Sequence, residues 1–132
     1  MQRLKQVILI RKDLKMRRGK EIAQGAHAAM AFLTTPIRQA LNTAGAAPVT
    51  LTLSPQEQAW LLQGSAKVCL RVNSEEELLA YHQQAQLAGL RSYLITDSGR
   101  TEFAGVPTLT ACAIGPDEVT RIDQITGELV PY

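Results

Sequence analysis

The feature that most constrains this chain is a basic loop that runs directly into a helix of small residues, between Arg11 and Met30. Six of the first ten positions in this stretch are Arg or Lys. At about 100° per residue, Lys20, Gln24 and His27 fall on one face of the predicted helix. An ammonium, an amide and an imidazole on one face, beside concentrated positive charge, indicate a binding or catalytic site.

The elements on either side of the loop follow from hydrophobic periodicity. The apolar, β-branched run at 5–11 predicts a buried strand before the loop. On the helix, we expect Ile22, Ala26, Ala29 and Leu33 to form the buried stripe. Pro36 is expected to end the helix near residue 33 or 34, with a short second helix at 37–43.

The remainder of the chain predicts three more strands, at 67–72, 91–96 and 109–114. Helices are expected at 55–62, from 74 to about 88, and at 119–122, with residues 115–118 opening the last one. The alternation of strands and helices predicts right-handed crossovers and an α/β sheet. The last two strands can pair antiparallel through the loop at 97–108. We therefore predict a single domain over residues 1–132, an open mixed four-stranded sheet flanked by helices on both faces.

Composition narrows the class of protein. The chain has 132 residues, 45% of them hydrophobic, and a net charge of only +2. Eight Arg or Lys residues but one acidic residue lie between positions 3 and 20, which favours a phosphate-bearing partner over a membrane surface. The two cysteines form no Cys-x-x-Cys or Cys/His cluster, so we expect no structural zinc site. The apolar run at 7–10 is too short for a signal or a membrane span, and we expect a cytoplasmic protein.

A second polar stretch, Asp97-Ser98-Gly99, follows the predicted third strand. One interpretation is an ordinary Asp-x-Gly turn, in which the carboxylate caps its own loop. The other is a carboxylate held ionised by Lys20, able to orient or deprotonate a water. If the first and third strands are parallel neighbours, the loops that leave them meet at one sheet edge.

Each remaining candidate also has two interpretations. His27 is either packed against the sheet edge or acts as a general base or ligand contact. Gln24 either orients a substrate or a water, or lies on the helix surface. The basic loop is either solvated or a phosphate-contact surface; we favour phosphate contacts because the loop adjoins the polar helix face. These contacts would come from Arg11, Lys12, Lys15, Arg17 and Arg18.

Three motifs in order resemble the archaeal and eukaryotic-type peptidyl-tRNA hydrolases, which also occur in some bacteria. The first is Arg11-x-Asp13-Leu14-x-Met16-x-x-Gly19-Lys20, continued by Ala23-Gln24-x-x-His27-Ala28. The second is Asp97-x-Gly99-x-Thr101, followed by Thr110 ahead of Ile114-Gly115-Pro116. The third is Ile122-Asp123-x-x-Thr126-Gly127. The resemblance covers nearly the whole chain.

This resemblance implies hydrolysis of the ester between a peptide and the 3′-terminal ribose of tRNA, without metal or organic cofactor, usually by a homodimer. It carries over Lys20, Asp97, Thr101 and Thr110 as functional residues, with Gln24 and His27 nearby.

This sequence departs from the family pattern in two places that affect the site. Arg17-Arg18 replaces a more usual Gly-Lys. The spacing after Thr101 also differs, so Thr108 competes with Thr110 for the family's threonine. Two alternatives to the hydrolase stay open: a non-catalytic tRNA- or protein-binding module on the same fold, and a hydrolase of smaller acyl esters.

Overall fold

The structure is a computed structural model that describes residues 2–44, 48–100 and 102–132. Helices separate the first three strands along the chain. Their bounds, in chain order, are β1 Leu4–Arg11, α1 Arg18–Ala44, α2 Pro55–Leu62, β2 Lys67–Val72, α3 Glu75–Leu87, β3 Ser92–Asp97, a 3₁₀ helix Phe103–Gly105, β4 Thr108–Glu118 and α4 Val119–Thr126.

The four strands form one mixed sheet in the order β2-β1-β4-β3. β1 pairs parallel with β2, and β4 pairs antiparallel with both β1 and β3. The predicted open, mixed, four-stranded sheet is therefore confirmed. β1 and β3 are parallel but are not neighbours, because β4 lies between them. Their carboxyl ends and the beginning of β4 consequently share one edge of the sheet.

Helices cover both faces of the sheet, as predicted. On one face α3 and α4 pack over side chains that include Val7, Leu9 and Ile114. On the other face α1 packs over Ile8 and Ile10. Because β1 alternates between these two cores, it is buried almost throughout, and each such side chain contributes roughly 1.5–3 kcal/mol on burial.

The prediction that Pro36 ends α1 is wrong, because the helix continues through Pro36 to Ala44. A proline removes one backbone hydrogen bond and costs about 3 kcal/mol in a helix interior. Phe32, one turn earlier, packs edge-on against Trp60 of α2 with ring centres 5.7 Å apart. We infer that this packing anchors the helix on the near side of the proline. Residues 45–47, part of the predicted break, lie outside the described residues.

The predicted buried stripe of α1 is confirmed only in part: Ala29 and Leu33 are half-buried and pack against the core, but Ile22 and Ala26 do not. Ile22 is 66% exposed and Ala26 is exposed, whereas Gln24 and Ala28 are buried against the sheet. The small side chain of Ala28 allows a close approach to the strands, and Gln24 finds polar partners there. The helix is therefore turned so that part of its polar face, not its most apolar one, meets the sheet.

The last strand is longer than predicted. Residues 115–118 do not open a helix but continue β4, because Asp117 and Glu118 pair with Lys5 and Leu4 of β1 after a register shift. The final helix, α4, accordingly runs from Val119 to Thr126.

Candidate functional site

The centre of the candidate site is an ion pair between α1 and the end of β3. Lys20 Nζ donates to Asp97 Oδ1 at 2.6 Å. The Lys20 side chain is 15% exposed and that of Asp97 is 10% exposed. Lys20 lies in the first turn of α1, and Asp97 is the last residue of β3. The two loops thus meet as predicted, although β4 separates their strands.

The loop after β3 holds the Asp97 carboxylate from its other side. Asp97 Oδ2 accepts the Gly99 N–H at 2.8 Å. Gly99 has a φ of +84°, and a Cβ there would lie 2.5 Å from the Val106 carbonyl oxygen. Only glycine fits this turn without rearrangement. The predicted turn and the predicted Lys20 contact therefore coexist, because one carboxylate oxygen caps the loop while the other faces Lys20.

A buried amide and a buried hydroxyl extend this arrangement beneath the ion pair. Gln24 Nε2 donates to Asp97 Oδ1 at 3.3 Å. Thr110 Oγ1 donates to Gln24 Oε1. Gln24 is 3% exposed and Thr110 is fully buried. Since an ionised carboxylate only accepts hydrogen bonds, the Gln24 amide must direct its NH₂ to Asp97 and its oxygen to Thr110.

These contacts keep Asp97 ionised. The hydrogen bond from Lys20 is the main cause that lowers the pKa of Asp97 below its ordinary value of 3.8. Burial opposes this shift, while the Gly99 N–H and the positive charges of Lys20 and His27 add to it. At neutral pH the site therefore presents a carboxylate and an ammonium in contact.

The structure distinguishes the two competing threonines. Thr110 belongs to the hydrogen-bonded chain that ends at Lys20. Thr108 lies opposite Asp97 across the sheet, and its hydroxyl donates instead to the Val106 carbonyl at 2.9 Å. Thr101, predicted as catalytic, lies outside the described residues.

His27 lies one turn beyond Gln24 on α1 and is exposed. It contributes to the low pKa of Asp97 through its charge, so it lies within electrostatic reach of the ion pair. It also lines a groove of about 570 Å³ that borders β3 up to Thr96. The imidazole is thus at the mouth of the site, open to a ligand.

The basic loop divides into an exposed group and one buried arginine. The exposed group is Lys12, Lys15, Arg17 and Arg18. Arg11 is only 9% exposed. Its guanidinium donates to both carboxylate oxygens of Asp13, at 3.2 and 2.7 Å, and to the Leu109 carbonyl at 2.9 Å. Arg11 therefore links β1, the loop and β4 through these hydrogen bonds. It does not belong to the exposed group of basic residues.

Sequence reasoning missed the contribution of Tyr132. Tyr132 donates its hydroxyl to Glu21 in the first turn of α1, and Lys12 Nζ lies 4.4 Å from the centre of its ring. The Tyr132 N–H reaches the Cys69 carbonyl of β2 at 3.0 Å. Tyr132 thus fixes the loop and the start of α1 to the sheet, and no local sequence pattern signals this long-range contact.

The part of the chain that the structure describes covers residues 2–44, 48–100 and 102–132. Among these residues, no three His, Cys, Asp or Glu side chains are grouped so that they could hold a metal ion. No helix in that part of the chain is long and apolar enough to cross a membrane.

Comparison with known proteins gives one consistent result. Residues 4–132 match the family model described as "Peptidyl-tRNA hydrolase PTH2". The chain is 39% identical over 127 residues to a peptidyl-tRNA hydrolase of Methanothermobacter thermautotrophicus, covering 96% of this chain and 97% of that one. It is 41% identical over 126 residues to that of Methanopyrus kandleri, covering 95% of each. For Saccharolobus solfataricus the identity is 33% over 126 residues, covering 96% and 97%.

Proposed function

The chain belongs to the PTH2 family of peptidyl-tRNA hydrolases, and we propose that it hydrolyses the ester joining a peptide to the 3′ ribose of tRNA. The observation that carries this proposal is the enclosed Lys20–Asp97 pair at the sheet edge, beside an exposed basic loop. An ammonium beside a carboxylate can take part in ester hydrolysis, and the basic loop can bind a polyanion. We assign this function to residues 1–132 as one domain.

The roles of the central pair follow from its electrostatics. Water attacks the ester carbonyl carbon, and negative charge develops on the carbonyl oxygen. The Lys20 ammonium stabilises that charge, since fixed positive charge in an enclosed site is worth more than in water. A carboxylate with a lowered pKa is a weak base, so Asp97 accepts a hydrogen bond from the water and orients it. Gln24 and Thr110 hold Asp97 in place.

His27 carries the proton in this scheme. An imidazole accepts and donates protons near neutral pH, and His27 is exposed at the mouth of the site. It takes the proton of the attacking water. It returns that proton to the ribose 3′ oxygen as the bond from this oxygen to the carbonyl carbon breaks. The products are a free peptide acid, which releases its proton to solvent and becomes a carboxylate, and a tRNA with an intact 3′ hydroxyl. For Thr101, the resemblance alone supports a role in positioning water or the carbonyl.

The exposed basic group of Lys12, Lys15, Arg17 and Arg18 contacts phosphates of the tRNA acceptor stem. These four side chains are exposed beside the site, and cationic side chains on phosphates give salt-dependent binding. Arg11, which is buried and hydrogen-bonded within the protein, supports the loop that presents them. Because ribosomes supply the substrate, we place the protein in the cytoplasm.

We also propose a homodimer, which the family resemblance implies. The exposed apolar side of α1 supports it, since Ile22 is 66% exposed. Sedimentation equilibrium of wild type and Ile22→Arg tests this. A wild-type dimer that the substitution weakens is expected, and a wild-type monomer at tens of micromolar contradicts the proposal.

The experiment that tests the function is release of a labelled N-acetyl-aminoacyl group from tRNA in water enriched in ¹⁸O. We expect the free N-acetyl amino acid to carry one ¹⁸O atom in its carboxylate, and the tRNA to be chargeable again. Salt-dependent tRNA binding without release would favour the binding module. Equal turnover of an N-acetyl-aminoacyl adenosine would favour the hydrolase of small acyl esters.

A further inference from the structure

A groove runs along the outer edge of β3. β3 is an edge strand, because the sheet order is β2-β1-β4-β3. The groove has a volume of about 570 Å³, which is within the range of ligand sites. β3 lines it from Ser92 to Thr96. Since α1 and α3 cover opposite faces of the sheet, the two helices form its walls. The wall residues include Met30 and Thr34 of α1 and His82 and Gln86 of α3.

The floor of this groove presents backbone hydrogen-bonding groups. The Arg91 carbonyl accepts the Gly115 N–H at 2.9 Å, so these two residues form a hydrogen-bonded pair between β3 and β4. Bonding alternates along an antiparallel pair. Tyr93 and Ile95 therefore also bond toward β4, whereas the N–H and C=O groups of Ser92 and Leu94 point outward. An extended chain beside β3 can bond to these groups.

The groove ends at the candidate site. Thr96 is its last β3 residue, and Asp97 follows directly. His27 lines the groove and also acts electrostatically on Asp97. An occupant of the groove therefore reaches the Lys20–Asp97 pair with one of its ends. Among possible occupants, the peptide half of the substrate is the one whose reacting carbonyl must lie at that pair.

We propose that the peptide of peptidyl-tRNA binds as an added fifth strand on β3, parallel to it, with its carboxyl-terminal residue at Asp97. This inference rests on the proposed function. The direction follows because β3 itself runs toward Asp97, so a peptide ending there runs the same way. At about 3.3 Å per residue, the stretch of β3 that lines the groove, from Ser92 to Thr96, matches a peptide of about five residues.

Binding through backbone groups allows one site to accept peptides of different sequences. Main-chain hydrogen bonds supply affinity that is independent of side chains in β-strand addition. The groove walls mix apolar and polar side chains, such as Met30 and Gln86, and do not impose a single chemistry. We therefore expect recognition to depend on the length and backbone of the peptide more than on its sequence.

The first test uses the wild-type protein and tRNAs that carry N-acetylated peptides of one to eight residues. KM is expected to fall by about tenfold up to four or five residues and then to level off. Single N-methylation of each peptide amide should raise KM at alternate positions only, by about threefold to tenfold per lost bond. A KM independent of length, or N-methyl effects without a period of two, would overturn the inference.

The second test uses a matched pair of variants on α3. Gln86 and Gln84 are both exposed, but only Gln86 lines the groove. Gln86→Trp should raise KM for pentapeptidyl-tRNA about tenfold and leave that for N-acetyl-aminoacyl-tRNA within twofold. Gln84→Trp should change neither. Equal effects of the two variants on pentapeptidyl-tRNA would contradict the inference.

These outcomes separate the two proposals. Failure of the wild type to hydrolyse any peptidyl-tRNA would overturn the proposed function. Hydrolysis of N-acetyl-aminoacyl-tRNA with no effect of peptide length would overturn the added strand alone. Dissociation of a dimer by Gln86→Trp, with KM unchanged, would assign the β3 edge to a second copy of the chain and also overturn the inference.

Discussion

Two Lys–Asp ion pairs of equal length lie at different places in this molecule. Lys20 Nζ and Asp97 Oδ1 are 2.6 Å apart, and so are Lys5 Nζ and Asp123 Oδ1. The first pair joins α1 to the end of β3, where the basic loop is exposed. The second joins the beginning of β1 to α4. The Asp97 side chain is 10% exposed, whereas that of Asp123 is 46% exposed.

The difference shows that a short Lys–Asp distance alone does not identify a candidate functional site. A pair open to water contributes about 0–1 kcal/mol and is screened by salt. Asp97 is enclosed and also accepts hydrogen bonds from Gln24 and Gly99. These contacts fix its carboxylate in one orientation, with Thr110 behind Gln24. Enclosure and a second layer of hydrogen bonds therefore distinguish the pair that we propose as functional from the Lys5–Asp123 pair.

The largest expected difference between the two pairs is in their lysines. Lys20→Ala should lower kcat/KM for N-acetyl-aminoacyl-tRNA by about 10²–10³, the usual loss when a group that stabilises an oxyanion is removed. Lys5→Ala, the matched control, should stay within twofold of wild type. Circular dichroism verifies that both variants fold. Equal losses in both variants would remove the distinction between the pairs.

A smaller loss of activity is expected when Thr110, which contacts Asp97 only through Gln24, is replaced. Thr110→Val removes the hydroxyl that orients Gln24 and should lower kcat about tenfold, in line with the loss of an orienting contact one step from the reaction. Thr126 is also buried, and its hydroxyl donates to the Ile122 carbonyl at 3.3 Å within α4. Thr126→Val should lower stability by about 1 kcal/mol and leave kcat unchanged. Full activity of Thr110→Val would show that this second layer is dispensable.

A substitution in the basic loop should have a still smaller effect, on the binding of tRNA. Arg18→Gln should raise KM a few-fold and reduce the slope of log KM against log salt concentration by about 0.7–0.9, the value for one lost phosphate contact. Arg3 is also exposed but precedes β1, away from the loop, so Arg3→Gln is the control. An unchanged salt slope for Arg18→Gln would place the tRNA elsewhere.

The smallest expected effect is a change in the pKa of the Asp97 carboxyl group. By ¹³C NMR, the Asp97 carboxyl should titrate below its ordinary pKa of 3.8, and Lys20→Met should move the midpoint upward. Because the folded pKa is lower than the unfolded one, Asp97 stabilises the fold above its ordinary pKa. That contribution is lost as the pH falls through the lowered value. An identical midpoint in wild type and Lys20→Met would contradict the assigned cause.

Much of the fold was predictable because local signals agreed with tertiary structure. The apolar run of β1 and the Ser54-Pro55 start of α2 each predicted their element. Pro36 misled because the helix continues through it, and we infer that packing of Phe32 on Trp60 helps to hold the helix there. The extension of β4 was missed because residues 115–118 gain their pairing from β1, far away in sequence.

Part of the candidate site was also predictable from local signals in the sequence. The loops that carry Lys20 and Asp97 each follow a predicted strand, and they were expected to meet if β1 and β3 were parallel neighbours. The two strands are parallel, but β4 lies between them. The orientation of α1 was not predictable, since hydrophobic periodicity places polar side chains toward water. Gln24 is buried because Thr110 and Asp97 satisfy its amide. Arg11 likewise looked like part of the exposed basic group until its contacts with Asp13 and Leu109 were seen.

The most direct test of the central claim compares the two aspartates. The measurement is kcat/KM for N-acetyl-aminoacyl-tRNA in Asp97→Asn and in Asp123→Asn, with thermal unfolding of each recorded. The account predicts a loss of at least about 10²-fold for Asp97→Asn in a folded protein and near wild-type turnover for Asp123→Asn. Near wild-type turnover by Asp97→Asn, or equal losses in both variants, would contradict it.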